Sequence, residues 1–158
     1  FKHIGPNVKT QAPFPYKKIG MLVGGTGMTP MTQALHAVLG ETKEGGGPHV
    51  SMIYGSRKQE DILGKELLHK WAADHPDRFT LVDVLSDEPK DSDWTGERGH
   101  PSKELIAKYM PGPDEDDIQI FICGPPPMYN ALTGPREDKE LGGLLKEMGY
   151  KTEQVYKF

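Results

Sequence analysis

Cysteine is almost absent from this chain. Cys123 stands alone in 158 residues, so no internal disulfide can form and no thiolate set with metal-ligand spacing exists. Long apolar runs are missing as well: none approaches the roughly 18 residues a membrane span needs, and no leader pattern opens the sequence. Positive charge is in deficit, with a formal net charge of −4, which argues against a nucleic-acid surface. The string Gly-x-x-x-x-Gly-Lys-Ser/Thr does not occur, and this removes the P-loop and with it a phosphoryl-transfer module. The six histidines lack ligand spacing, and the acidic run Asp114–Asp117 reads as a solvated loop because consecutive side chains diverge. Phe1 is not an initiator methionine, so further residues are expected upstream. A chain of this length fits one domain and can hide about 70% of its unfolded surface.

What the chain does have is glycine in two telling places. Ile19-Gly-Met-Leu-Val-Gly-Gly-Thr-Gly-Met-Thr-Pro-Met31 reads as an apolar strand, a glycine-rich turn and a helix start. Ile118-Gln-Ile-Phe-Ile-Cys-Gly-Pro-Pro-Pro-Met128 repeats the order of strand and glycine turn. Between them the pattern predicts a helix over 31–39 with Thr29 as N-cap and Pro30 in the first turn. Strands follow at 50–54 and 79–85, helices at about 60–74 and 102–109, and a long polar loop at 86–99. After the second glycine turn a helix is expected to break at Gly134-Pro135 and resume over 137–148, before a short strand at 154–158. Strands alternating with helices predict a parallel, right-handed α/β sheet. Residues 1–16, rich in Gly and Pro, read as an incoming linker and 17–158 as the domain.

Two glycine turns on one edge of a parallel sheet mark the edge where open α/β folds bind nucleotides. Gly25, Thr26 and Gly27 let a phosphate approach the backbone, and a helix N-terminus follows at once. Pro30 replaces the last glycine of the usual dinucleotide fingerprint. No carboxylate stands at the end of the second strand, where a ribose hydroxyl is ordinarily held; Tyr54-Gly-Ser56-Arg57 is there instead. Ser56 and Arg57 read either as partners for a ribose phosphate, which would favour NADPH, or as an ordinary polar helix start. Asp87, after the third strand, is the other candidate for the adenosine ribose. Cys123 has no histidine near it in sequence, so it reads as core or as a thiol packed on a ligand ring rather than a nucleophile.

Together, Gly24-Gly-Thr-Gly-Met-Thr-Pro-Met31, Tyr54-Gly-Ser-Arg57 with Asp61-Ile-Leu63, Cys123-Gly-Pro-Pro-Pro-Met128 and Val155-Tyr-Lys-Phe158 resemble the NADH–cytochrome b5 reductase family. More broadly they resemble the ferredoxin reductase-like flavoenzymes, including the reductase part of nitrate reductase. The resemblance implies a three-layer, Rossmann-like, five-stranded parallel sheet that binds NADH, or NADPH in a relative. It also implies an upstream barrel domain holding FAD, whose Arg-x-Tyr-Ser-type motif is not in this chain, and a haem protein acceptor such as cytochrome b5. Without the flavin lobe the chain alone is expected to bind nucleotide weakly and to reduce nothing. Members of the family work on the cytoplasmic side of the endoplasmic reticulum, at the mitochondrial membrane or free in the cytoplasm; no membrane contact is expected of this segment. Position by position, Gly25, Thr26, Gly27 and Met28 match the residues lining the pyrophosphate and nicotinamide, and Thr29 and Pro30 match the helix start beneath them. Cys123, Gly124 and Pro125 match the segment against the nicotinamide, Met128 closes the motif by packing, and Phe158 matches the aromatic near the flavin–nicotinamide junction. NADH-using members carry aspartate after the third strand; here Ser86 holds that place and Asp87 follows. A non-catalytic interaction domain that keeps the fold is the reading from another class.

Overall fold

The computed structural model describes residues 15–40 and 47–158. Most of the expected linker, residues 1–14, lies outside them, as do residues 41–46 between the expected helix at 31–39 and strand at 50–54.

Runs of β-branched and large apolar residues build the sheet. Its strands are β1 (Lys18–Gly24), β2 (His49–Ser56), β3 (Phe79–Leu85), β4 (Glu97–Arg98), β5 (Ile118–Cys123) and β6 (Val155–Lys157). All pair in parallel, in the order β4-β3-β2-β1-β5-β6. The α/β class is as expected, but the sheet has six strands rather than five. The extra one is β4, two residues that pair Val84↔Glu97 and Leu85↔Arg98 from within the long polar loop. A charged pair between Gly96 and Gly99 carries no apolar alternation, so no sequence pattern marks it.

Helices cover both faces. They are α1 (Met28–Gly40), α2 (Lys65–Asp74), α3 (Lys103–Tyr109), α4 (Pro126–Leu132) and α5 (Gly143–Glu147). Side chains alternate along each strand. Met21, Val23, Met52 and Tyr54 therefore meet Met31, Leu35 and Leu68 on one face. Leu22, Ile53, Ile120 and Ile122 meet Ile106, Leu132 and Leu145 on the other. Each such side chain taken fully from water contributes about 1.5–3 kcal/mol, so the central strands anchor the loops at their ends.

Three helix starts differ from expectation, each for a backbone reason. A tight 3-10 turn at Gly25–Gly27 leads directly into α1 at Met28, which places Thr29 inside the first turn and not at the cap. Gly64 sits in the left-handed region (φ 64°) and delays α2 to Lys65, leaving 59–61 as a separate 3-10 turn. Gly143 (φ 58°) delays α5, and a Cβ there would stand 2.7 Å from Ala131 O. The helix expected over 102–109 starts within a residue of that bound, where Ser102 caps it: Ser102 Oγ accepts from Leu105 N at 3.3 Å.

Candidate nucleotide site

Chain order reverses beside β1, which has β2 on one side and β5 on the other. Connections leave in opposite directions at such a point and open a crevice at the carboxyl ends of the strands. A cleft of about 380 Å³ lies there. Gly24, Gly25 and Gly55 line it from the ends of β1 and β2, Pro125 and Met128 from the segment after β5, and Ser56, Arg57 and Ser86 from the ends of β2 and β3. Asp61 and the returning loop Gly99-His100-Pro101 complete it.

The two glycine turns are built against each other. A Cβ on Gly27 would fall 2.2 Å from Cys123 O, and one on Gly24 would fall 2.7 Å from Met128 Sδ. A Cβ on Gly124 would lie 2.5 Å from the same sulfur and 3.3 Å from Gly24 N. These three glycines serve the close approach of the β1 and β5 loops, with the Met128 thioether filling what remains. Gly25 is different: it takes φ 51°, and a Cβ there would meet nothing within 4 Å. It is the glycine that leaves its backbone open to the cleft, as close approach by a pyrophosphate requires.

Tyr54 does not face the cleft. It is wholly buried, its hydroxyl donates to Gly25 O at 3.0 Å, and it accepts from Leu63 N at 3.3 Å. Burial pushes its phenol above the usual value. Through these two bonds Tyr54, named in the sequence among the cofactor-site residues, pins the glycine turn to the segment before α2. Thr26 and Thr29 are exposed on the turn and the first helical turn, with Met28 and Pro30 half-buried beside them.

Arg57 and Asp87, alternatives in the sequence, are brought together. Beyond the last β2–β3 rung, Ser86 N donates to Ser56 O (3.0 Å) and Asp87 N to Arg57 O (2.8 Å). This sets the side chains side by side, and Arg57 Nε donates to Asp87 Oδ2 at 2.9 Å. The guanidinium holds the Asp87 carboxyl below its ordinary range, with smaller help from Ser86 and His100. Ser86 itself lines the cleft, and the Ser56 hydroxyl is buried in its wall without a hydrogen bond of ordinary geometry.

On the β5 side, Cys123 is half-buried at the strand end and Gly124 lies against Gly24. Phe158 packs edge-on against Phe121 (5.6 Å between ring centres) and Tyr156 (4.9 Å), just beyond β6. Ser86, Gly99, His100 and Pro101 were not singled out as ligand-facing by sequence. The loop carrying the last three returns to the cleft because β4 docks on β3, because Gly99 N donates to Leu85 O at 2.8 Å, and because Arg98 ties the backbone oxygens of Glu88 (2.8 Å), Pro89 (3.1 Å) and Trp94 (3.1 Å). Only the glycine before His100 hinted at the bend. Among the described residues no helix is long and apolar enough to cross a membrane, and no group of three or more His, Cys, Asp or Glu could hold a metal ion.

A family model described as the oxidoreductase NAD-binding domain matches residues 21–133, which contain both glycine turns. The chain belongs to that family. Within it the similarity is to the cytochrome b5 reductase type. An NADH-cytochrome b5 reductase 2 of Aspergillus clavatus is 42% identical over 147 residues, covering 90% of this chain and 44% of that protein. The cytochrome b5 reductase domain of Ulva prolifera nitrate reductase superposes with a TM-score of 0.74 at 25% identity, covering 90% of this chain and 50% of that one. The CS-b5R domains of human Ncb5or, solved in an NAD+ form, give 0.72 at 25% identity, covering 91% and 37%. The chain spans under half the length of the curated relatives it matches. In this NAD-binding domain the fold features that fit a dinucleotide are the unobstructed Gly25 backbone and the crevice at the strand ends.

Proposed function

We propose that this chain is the pyridine-nucleotide lobe of a cytochrome b5 reductase-type flavoenzyme. It would take NADH and pass electrons through an FAD held mainly by another domain to a haem protein such as cytochrome b5. The observation that carries this reading is the cleft at the reversal point of strand order, with Gly25 open and the family match spanning it. Nicotinamide, when bound, supplies a hydride; the protein supplies orientation. Gly25, Thr26 and Gly27 would present backbone to the pyrophosphate, with the start of α1 behind them favouring its charge. Cys123, Gly124 and Pro125 would position the nicotinamide, and Met128 would hold the two loops at their spacing.

For the adenosine end, the Arg57–Asp87 pair supports NADH over NADPH. The Asp87 carboxylate, kept ionised by Arg57, is an acceptor for a ribose hydroxyl and repels a ribose phosphate. Arg57, engaged by Asp87, is not free to receive one. Paired calorimetric titration with NADH and NADPH at one salt concentration tests the assignment. Tighter NADH binding is expected. Tighter NADPH binding would move the ribose reader to Ser56 and Arg57, and binding of neither would overturn the nucleotide site in this chain.

A further inference from the structure

Tyr129 is the fourth residue of α4 and its ring is buried among Ile122, Leu132 and Leu145. Its hydroxyl comes out on the other side of that packing, under the end of β5. There the one phenolic hydrogen is shared between the main-chain oxygens of Phe158, at 2.8 Å, and Ile122, at 3.2 Å. Phe158 N donates to the same Ile122 oxygen at 3.1 Å, so a single phenol closes a ring of contacts that joins the end of β5 to the residue after β6. Cys123 is the next residue along β5, and its sulfur is close enough to the phenol to add to the effect of burial, which together push Tyr129 up to about 12.

Packing alone does not hold this corner. β6 is three residues long and, among the described residues, no strand pairs on its outer side. A cavity of about 400 Å³ adjoins Gly124, Tyr129, Asn130 and Arg136, so the segment after Cys123 is not wedged from below. Besides the backbone bond from Phe158 N, the directed side-chain contacts are the Tyr129 hydroxyl and the Lys157 ammonium, which donates to Pro135 O at 2.8 Å and Asp138 O at 3.1 Å. Lys157 reaches the loop after α4; among the side-chain hydrogen bonds of the described residues, Tyr129's alone joins Phe158 to the Ile122 end of β5, beside the backbone bond from Phe158 N to Ile122 O.

We propose that Tyr129 is a positioning residue for the nicotinamide end of the cleft, its hydroxyl fixing Phe158 against the Cys123–Pro125 segment. This rests on the nucleotide reading above, and its test is arranged so that the two fail differently. Tyr129→Phe keeps the ring and the fold and removes the hydroxyl alone. NADH and ADP-ribose, which lacks the nicotinamide, are titrated calorimetrically into the chain and the variant, and exchange of the Phe158 amide is followed in both without ligand. The variant is expected to bind NADH roughly three- to tenfold more weakly, the worth of one hydrogen bond, with ADP-ribose unchanged within about twofold. The Phe158 amide should exchange faster by a similar factor. An equal loss for both ligands, unchanged NADH affinity, or an unchanged Phe158 amide would each overturn the positioning role. Failure of the unaltered chain to bind either ligand would overturn the nucleotide site itself.

Discussion

Gly27→Ala and Gly25→Ala differ by one methyl group in the same turn and should fail in opposite ways. The Gly27 methyl would have to sit 2.2 Å from Cys123 O and 2.9 Å from Gly124 N, where ordinary contact begins near 3.4 Å. Both neighbours are backbone at the end of β5, a central strand, and cannot swing aside. The β1 and β5 loops would have to part by more than 1 Å, against Met128 packing that already fills the space beside Gly24 and Gly124. Overpacking of this kind costs typically 1–3 kcal/mol, and the upper half of that range is expected here because no side chain can yield. For a domain of this size that is a fall in Tm of roughly 5–10 °C. Gly25→Ala meets no atom within 4 Å, so its cost is confined to φ 51°, of order 1 kcal/mol. Its methyl instead stands on the cleft floor where a pyrophosphate must approach. Thermal unfolding followed by circular dichroism, with NADH titration of each folded variant, separates the two. Gly27→Ala should lose the larger share of stability, while Gly25→Ala should unfold within a few degrees of the parent and bind NADH roughly tenfold more weakly or worse. A Gly27→Ala protein with parental Tm, or a Gly25→Ala protein with parental affinity, would refute the division of labour between these glycines.

Asp87→Asn should release Arg57 and lower the ratio of NADH to NADPH affinity, read by the paired titration; an unchanged ratio would remove Asp87 from the site. Because Asp87 lies below its ordinary 3.8 in the folded chain, its pairing with Arg57 is complete above that value and is lost only as pH falls through the lower folded value. A carbon NMR titration of the Asp87 carboxyl should therefore show a midpoint under 3.8 that rises when Arg57 is replaced by Met. Tyr129 and Tyr150 are both buried and pushed up from 10.0 to about 12. Their neutral forms stabilise the fold fully below pH 10, and that stability drains away as pH climbs through about 12, by about 2 kcal/mol each. Tm measured alongside phenolate absorbance should fall steeply over that interval, and phenolate appearing near pH 10 for all six tyrosines in the folded chain would contradict it. His69→Ala should cost about 1–2 kcal/mol in denaturant unfolding, since it strips the 2.7 Å partner from the buried Asp83 carboxylate, whose other oxygen already lacks one.

The central strands and both glycine turns could be read from the sequence because apolar runs ending in Gly24-Gly25 and Cys123-Gly124 leave few alternatives. Local pattern was a weaker guide wherever glycine acts through φ. Gly64 and Gly143 each sit inside or beside helical spacing, and only their left-handed backbone shows that α2 begins after the one and α5 at the other. The site was legible in its residue types and less so in its roles. Tyr54 belongs to a conspicuous string, yet which way a strand residue points depends on what covers that face, and here α1 and α2 do. His100 gave no signal, because its place is set by the pairing of β4 with β3, thirteen residues earlier in the chain for the Val84↔Glu97 contact.

The pairing of Arg57 with Asp87 shows how a sheet can set ligand preference without a dedicated motif. Neither residue lies within its strand, and they are 30 apart in sequence. They meet because two backbone hydrogen bonds, Ser86 N to Ser56 O and Asp87 N to Arg57 O, hold the chain together where the parallel strands β2 and β3 end. The last rung pairs Ser56 with Leu85, and just past it Ser86 N reaches Ser56 O and Asp87 N reaches Arg57 O. A shift of one residue at either end would carry Arg57 and Asp87 apart and leave the aspartate's charge without its partner. Insertion of one glycine between Leu85 and Ser86 makes that shift while leaving the buried ladder from Val50 to Ser56 intact. It should reduce discrimination between NADH and NADPH more than it reduces Tm, and a variant that still discriminates as the parent does would show that register does not govern the choice.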